Sequence, residues 1–217
     1  MLTLALDVDG VLLDSGRGGA GHWSQELQIR FGIDPAMFGE FFFARHWADV
    51  VTGRRSIQDP LAQALVDMGS QVRVEQVLEC WFEADFVPFD ASFDLARRIA
   101  RNGRRVVLAT NQEHRRAHYL AERIGAVVPL TNVLYSADLG HQKHDRRFFA
   151  AASEELELAV NERSNVVFVD DKLANVDTAR AFGWQAIHAS TDGLWRKKSA
   201  SCSAWSHELT RASGFPL

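Results

Sequence analysis

An α/β fold, a parallel sheet wound on both faces by helices, is predicted by three features of the 217-residue sequence. Short apolar runs, Leu2–Leu6, Arg105–Ala109, Asn165–Val169 and Trp184–His188, have the length and near-continuous burial of strands in a parallel sheet. Stripes at helical spacing lie between them, several closed by glycine. Residues 22–87 carry helical stripes alone, with no strand signal. Alternating strands and helices imply right-handed crossovers, and hence a Rossmann-like, doubly wound sheet in three αβα layers with an inserted α-helical unit.

The elements follow in order. Leu2, Leu4 and Leu6 alternate with the uncharged Thr3 and Ala5, a buried strand that ends in Asp7-Val-Asp-Gly10. Ser15–Gly21 is glycine-rich but lacks the Gly-Lys-Ser/Thr ending of a phosphate loop, and reads as a hinge. In the insert, Trp23, Leu27 and Phe31 mark one helix, and Met37–Trp47 carries Phe38, Phe41, Phe42, Phe43 and Trp47 on a second. Leu61, Leu65 and Met68 mark a third, and Val74, Val77, Leu78, Trp81 and Phe82 a fourth. The aromatic cluster with His46 exceeds what one small helical unit needs, so part of it should wall a pocket or meet a second subunit, a homodimer contact. Beyond Pro88, Asp90 is placed to cap a helix through Leu95 and Ile99. The strand Arg105–Ala109 runs into Thr110-Asn111 at a helix start, and Ala117, Leu120, Ala121 and Ile124 continue that helix to Gly125. Asn132–Ser136 is a short strand, and Phe149, Ala152 and Leu156 a helical stripe. The strand to Val169 ends in Asp170-Asp171, and Leu173, Val176 and Ala179 form the next helix.

Composition narrows the function classes. With 47% apolar and 24% charged residues the chain can bury a core, and its net charge of −4 argues against a dedicated nucleic-acid binder. Cys80 and Cys202 are too few for a disulfide framework. There is no basic leader and no apolar run of membrane-spanning length, so a cytoplasmic protein without a membrane partner is expected.

Polar residues at strand ends carry the chemistry. Asp7 and Asp9, at i and i+2, would repel on a straight strand unless a cation or a bend at Gly10 separated them. The run Asp7-Val-Asp-Gly-Val-Leu-Leu-Asp-Ser15 resembles the first motif of the haloacid dehalogenase-like hydrolase superfamily. Leu108-Ala-Thr-Asn111 resembles its second motif, and Lys143 its third, with His144 where many members have proline. Val167-Phe-Val-Asp-Asp-Lys-Leu-Ala-Asn175 resembles the fourth, metal-binding motif.

The resemblance implies a fold of core 1–15 and 88–217 with a helical cap, 16–87, that chooses a small phosphorylated substrate. It implies that Asp7 attacks phosphorus to form an aspartyl-phosphate and that Asp9 serves as acid and base. Thr110 and Lys143 complete the catalytic set, and Asp9, Gly10, Thr110, Asn111 and Lys143 the phosphate-binding set. Mg2+ is the implied cofactor, with Asp7, Asp9 (through its carbonyl), Asp170 and Asp171 as the metal set and the order of the last two open. Lys172 and Asn175 would orient that pair or face the cleft. The retained Asp9 disfavours dehalogenation, since displacing halide needs no acid. The reading is therefore a phosphatase, with a phosphomutase or a non-catalytic scaffold on the same fold as alternatives.

Other signals are discounted. His114 and His118, at i and i+4, lack a third zinc ligand and read as surface residues. Arg97, Arg98, Arg101, Arg104 and Arg105 read as a solvated face. Residues 196–217 match no pattern beyond one docking turn at Trp205 and Leu209.

Overall fold

The computed structural model describes residues 2–14, 16 and 22–189. The loop Ser15–Gly21, apart from Gly16, and the tail 196–217 with Cys202, Trp205 and Leu209 lie outside the described residues. Five parallel strands, β1 (Thr3–Leu6), β2 (Arg105–Thr110), β3 (Asn132–Tyr135), β4 (Val166–Asp170) and β5 (Gln185–His188), form one sheet in the order β3-β2-β1-β4-β5. That order puts β1 at the centre and reverses direction between β2 and β4. The crevice outside such a switch point, at the carboxyl ends of the strands, is where ligands bind in open sheets of this kind.

Alternation along the strands builds the layers. Leu4, Leu6, Val106, Leu108, Val167 and Val169 face α6 (Asp90–Arg101) and α7 (His114–Gly125) in one core. Ala5, Val107, Ala109, Val166 and Phe168 face the other way, onto Phe148, Phe149 and Ala152 of α9 (Arg146–Glu155) and Ala179 and Phe182 of α10 (Leu173–Phe182). The three-layer prediction is met.

Between β1 and α6 the chain is helical throughout its described part: α1 (His22–Phe31), α2 (Pro35–Phe38), α3 (Arg45–Val50), α4 (Gln58–Asp67) and α5 (Val74–Ala84). These share their own core, centred on Leu27, Phe38, Phe42, Leu61, Val77 and Leu78. The helix expected at Met37–Trp47 starts earlier, where the Asp34 carboxylate accepts from the amides of Ala36 and Met37 at 2.8 and 2.9 Å and Pro35 takes the first position. It reaches α3 through a π-helical turn, Gly39–Ala44. The wider turn inserts an extra residue. Consecutive Phe42 and Phe43 thereby both turn inward, Phe42 into the insertion's core and Phe43 toward a cavity over the sheet.

Three local readings are corrected. Thr110-Asn111 does not open a helix: α7 begins at His114, capped by the Glu113 carboxylate, because the chain crosses the crevice before turning. Asp90 is the first helical residue of α6 and not its cap, a role held by the backbone of Phe89. His118 is exposed as expected, but His114 is half-buried, with Nδ1 3.2 Å from the Tyr135 hydroxyl. A short helix, α8 (Ser136–Leu139), follows β3 where none was expected.

The insertion meets the core in two places. At its base the two linkers run antiparallel, with Asp14 N donating to Val87 O and Phe89 N to Leu12 O, both at 2.8 Å. Further out, Ser136 Oγ donates to Val51 O at 2.6 Å, and Gly53 sits at φ +70° against the Ala137 carbonyl oxygen, where a Cβ would collide. Gly103 has a similar φ, +72°, with open space around it. Gly53→Ala should therefore cost clearly more than Gly103→Ala, which bears only the ~1–3 kcal/mol of backbone strain. Urea denaturation of the two variants checks this, and equal losses would remove the docking contact from the account.

Candidate active site

The polar groups given a chemical role from the sequence lie at the carboxyl end of the sheet, but in two separate constellations. The first surrounds Asp7, just past β1. Its carboxylate lies 2.6 Å from Lys143 Nζ, and the same ammonium lies 2.7 Å from Asp170 Oδ2 at the end of β4. All three side chains are buried. A lone lysine in a polar turn is usually solvated, yet this one is 1% exposed. The loop after α8 brings it in, and Asn111 Oδ1 fixes it by accepting from the Lys143 amide at 3.0 Å. Asn175 Nδ2 donates to both oxygens of Asp170 at 3.1 Å, and the Lys172 amide donates to Oδ1 at 2.7 Å. Lys172 Nζ sits 2.9 Å from Asp171 Oδ2.

Burial pushes the Asp7 carboxyl up to about 8, with Lys143 opposing the rise and Asp170 adding to it. Burial disfavours the Lys143 charge too, but Asp7 and Asp170 hold its pKa above the ordinary lysine value. Asp7, Asp170 and Asp171 each offer an oxygen, all within 4.8 Å of one another. Three carboxylates, two of them on the buried Lys143 ammonium and the third beside Lys172, are an all-oxygen donor set that fits a hard divalent cation. Gly10 lets the β1 turn approach this set: at φ +82°, a Cβ would lie 2.7 Å from Asp171 Cγ.

The second constellation holds Asp9. Its carboxylate is not among those three. Arg116 of α7 donates to both of its oxygens at 2.7 and 2.8 Å, a bidentate pair, and Gln112 Nε2 donates at 2.7 Å. Arg116 also reaches Asp85 Oδ2 at 2.7 Å and Gln112 Oε1 at 2.9 Å. Burial alone would raise the Asp9 pKa, but the Arg116 charge and these hydrogen bonds hold it below the ordinary carboxylate value. The predicted repulsion between Asp7 and Asp9 is thus relieved by a bend and two different cations.

Arg116, Gln112 and Asp85 were not foreseen. A signal for Arg116 existed, since it stands at i, i+4 and i+8 with Leu120 and Ile124, a charge in register with a buried stripe. Asp85, at the end of α5, carried none.

Both constellations open on one cavity of about 540 Å³. Asp7, Asp9, Thr110, Asn111, Lys143 and Asp171 line its floor, and Trp23, Phe43, Trp47 and Trp81 of the insertion line its roof. Gly10 does not line it but backs Asp171. Of the aromatic cluster, Phe43 and Trp47 form wall, Phe42 is core, and Phe41 lies under the Arg45 guanidinium at 4.2 Å. Thr110 Oγ1 is 3.4 Å from Gln112 Nε2, on the cavity side.

The raised Asp7 pKa has a testable consequence. Without metal, Asp7 binds its proton more tightly folded than unfolded, so its contribution to stability is full below 3.8 and is lost as pH rises through about 8. Asp7→Asn should flatten that decline and leave the metal-free variant more stable than wild type at mildly basic pH. Denaturation of both proteins in chelator, at mildly acidic and mildly basic pH, measures it; parallel declines would refute the assignment.

Comparisons with known proteins agree with this architecture. A family model for haloacid dehalogenase-like hydrolases matches residues 1–183. Among solved structures, a HAD-like family hydrolase from Porphyromonas gingivalis is similar at 17% identity, covering 96% of this chain and 98% of its own, with a TM-score of 0.71. A HAD family enzyme from Bacteroides thetaiotaomicron, in complex with magnesium and inorganic phosphate, is similar at 15% identity over 90% of this chain and 98% of its own, with a TM-score of 0.66. The L-2-haloacid dehalogenase from Xanthobacter autotrophicus, with chloropropionic acid covalently bound, is similar at 15% identity over 91% of this chain and 82% of its own, with a TM-score of 0.62. No curated protein matches. No helix among the described residues is long and apolar enough to cross a membrane. Motifs at three strand ends and in the loop after α8, a parallel sheet of this order and a family match over most of the sequence lead to one statement: this chain belongs to the haloacid dehalogenase-like hydrolases.

Proposed function

We propose that the protein is a magnesium-dependent phosphatase that works through an aspartyl-phosphate, with the helical insertion, residues 16–87, as a cap over the site. The observation that carries this reading is Asp9: a second carboxylate lines the same cavity two residues from Asp7 and is held by its own cation. Displacement of halide has no use for such a group, whereas an alkoxide leaving group does.

Asp7 attacks phosphorus, the ester P–O bond breaks, and the departing oxygen takes a proton from Asp9. Water then attacks phosphorus, gives its proton to Asp9, and frees Asp7 and phosphate. Arg116 keeps Asp9 ionised at rest, which suits the second half. The negative charge of an incoming phosphate monoester opposes Arg116 and favours the protonated Asp9 that the first half needs. Lys143 stays charged and offsets the charge on the phosphoryl oxygens, while Thr110 and Asn111 border them. Asp7, Asp170 and Asp171, with the Asp9 carbonyl, would hold magnesium, which when bound supplies Lewis-acid stabilisation of the phosphoryl group. A homodimer through the cap remains outside this reading, because Phe43 and Trp47 line the cavity.

Two experiments test the reading. Hydrolysis of an aryl phosphate should require magnesium and vanish in Asp7→Asn; turnover of a 2-haloacid in place of the phosphate would favour a dehalogenase. Arg116→Gln should raise the Asp9 pKa, so that the basic limb of the kcat/KM profile for an alkyl phosphate moves up by about one pH unit or more. An unmoved limb would remove Arg116 from control of the acid.

A further inference from the structure

The roof and floor of the cavity differ in kind. Every charged side chain lining it, Asp171, Lys172 and Arg116 among them, comes from the sheet side or, in Asp85, from the end of α5 beside it. The insertion offers Trp23, Phe43, Trp47 and Trp81, packed ring on ring with centroids 5.0 Å apart for Trp23–Trp81, 5.2 Å for Phe43–Trp47 and 5.6 Å for Phe43–Trp81. Two of the cations on the floor are buried in ion pairs, Lys143 with Asp7 and Asp170 and Arg116 with Asp9 and Asp85, while the exposed Lys172 stays beside Asp171. Among the described residues, none lining the roof is a cation that could meet a second anionic group on a substrate.

Two further observations bear on what the roof accepts. Trp81 is 4% exposed, lines the cavity, and its indole N–H has no hydrogen-bond partner among the described residues. A buried donor left in that state is costly, and a ligand oxygen would satisfy it. Gly39, at the start of the π-helical turn, also lines the cavity, with φ −56° and ψ −46° and nothing within 4 Å of where its Cβ would lie. The absent side chain leaves space beside the rings.

We propose, on the footing of the phosphatase reading above, that the substrate is a phosphate monoester of an uncharged ring-bearing alcohol. Its ring lies against the tryptophans and phenylalanine, and an oxygen on it accepts from Trp81 Nε1. Aromatic faces attract flat or apolar ring surfaces. A carboxylate or second phosphate would enter a neutral, low-dielectric roof with no cation to pair it, which is strongly unfavourable. The cavity of about 540 Å³ holds a phosphoryl group and a ring of this kind.

The test uses a matched pair, 4-carbamoylphenyl phosphate and 4-carboxyphenyl phosphate, which share a ring and differ by one charge. Acetyl phosphate reads the phosphoryl chemistry with almost no leaving group to recognise, and glucose 6-phosphate separates a saturated neutral ring from an aromatic one. All are assayed with magnesium on wild type, Trp47→Ala and Gly39→Leu. The last variant fills the space without backbone strain, so it guards against misfolding of the first. We expect one of the two neutral ring esters to exceed the carboxylated one in kcat/KM by at least ~10-fold, the order that separates a paired from an unpaired charge. Its kcat/KM relative to acetyl phosphate should fall by a similar factor in Gly39→Leu. Turnover of acetyl phosphate with no preference against the carboxylated ester, or with an unmoved ratio in both variants, would overturn the inference and leave the phosphatase reading standing. No turnover of acetyl phosphate or any ester by folded wild type would overturn both.

Discussion

One buried ammonium holds the carboxyl end of the sheet together. Lys143 reaches two carboxylates on adjacent strand ends, Asp7 after β1 and Asp170 at the end of β4, and all three are withdrawn from water. Desolvating them is expensive, and mutual attraction repays it only when the remaining hydrogen-bonding capacity is met. Asn175 and the Lys172 amide meet it for Asp170, and Asn111 fixes the lysine backbone. The central position of β1 is what allows this, since no other strand has both β2 and β4 as neighbours. Strand order, loop path and charge balance are one arrangement.

The same economy separates the two acids. Asp7 and Asp9 are two residues apart, yet burial raises one and Arg116 lowers the other. In the mechanism proposed above, environments that drive neighbouring carboxyls in opposite directions divide the roles of attack and proton transfer. Arg116 itself is awkwardly placed, a cation in the first turn of α7 where the helix dipole disfavours it. The Glu113 cap, Asp9 and Asp85 offset that, and the two aspartates with Gln112 hold the guanidinium in one orientation.

The sheet was legible because each strand is a short apolar run whose last residue changes character abruptly, as at Leu6-Asp7 and Val169-Asp170. The helical nature of residues 22–87 was legible from Trp23, Leu27 and Phe31 and their successors. Lys143 was found by resemblance to a motif and not by its surroundings, which read as an ordinary polar turn. Arg116 escaped because its partners, Asp9 and Asp85, are 107 and 31 residues away, and no local period encodes such a meeting. The π-helical turn escaped for a related reason: Gly39-Glu-Phe-Phe-Phe-Ala44 fits an α-helix locally, and only the demand to bury Phe42 while turning Phe43 to the cavity selects the wider turn. Thr110-Asn111 misled because a hydroxyl beside an amide after a strand resembles a helix cap, whereas Glu113 takes that role three residues on.

The contact at Ser136 bears on more than how the insertion docks. Its hydroxyl donates to Val51 O and also accepts from the Gln112 amide at 3.0 Å, and Gln112 is the residue whose side chain aims Asp9. The antiparallel linkers join the insertion to the core at its base, and this hydroxyl joins it again on the far side. The second contact falls one residue past the end of β3 and, through Gln112, beside the Asp9 carboxylate. The docking of the insertion and the placement of Gln112 beside Asp9 therefore share one oxygen atom. If the insertion is the cap proposed above, lifting it would disturb the surroundings of Asp9 in the same movement.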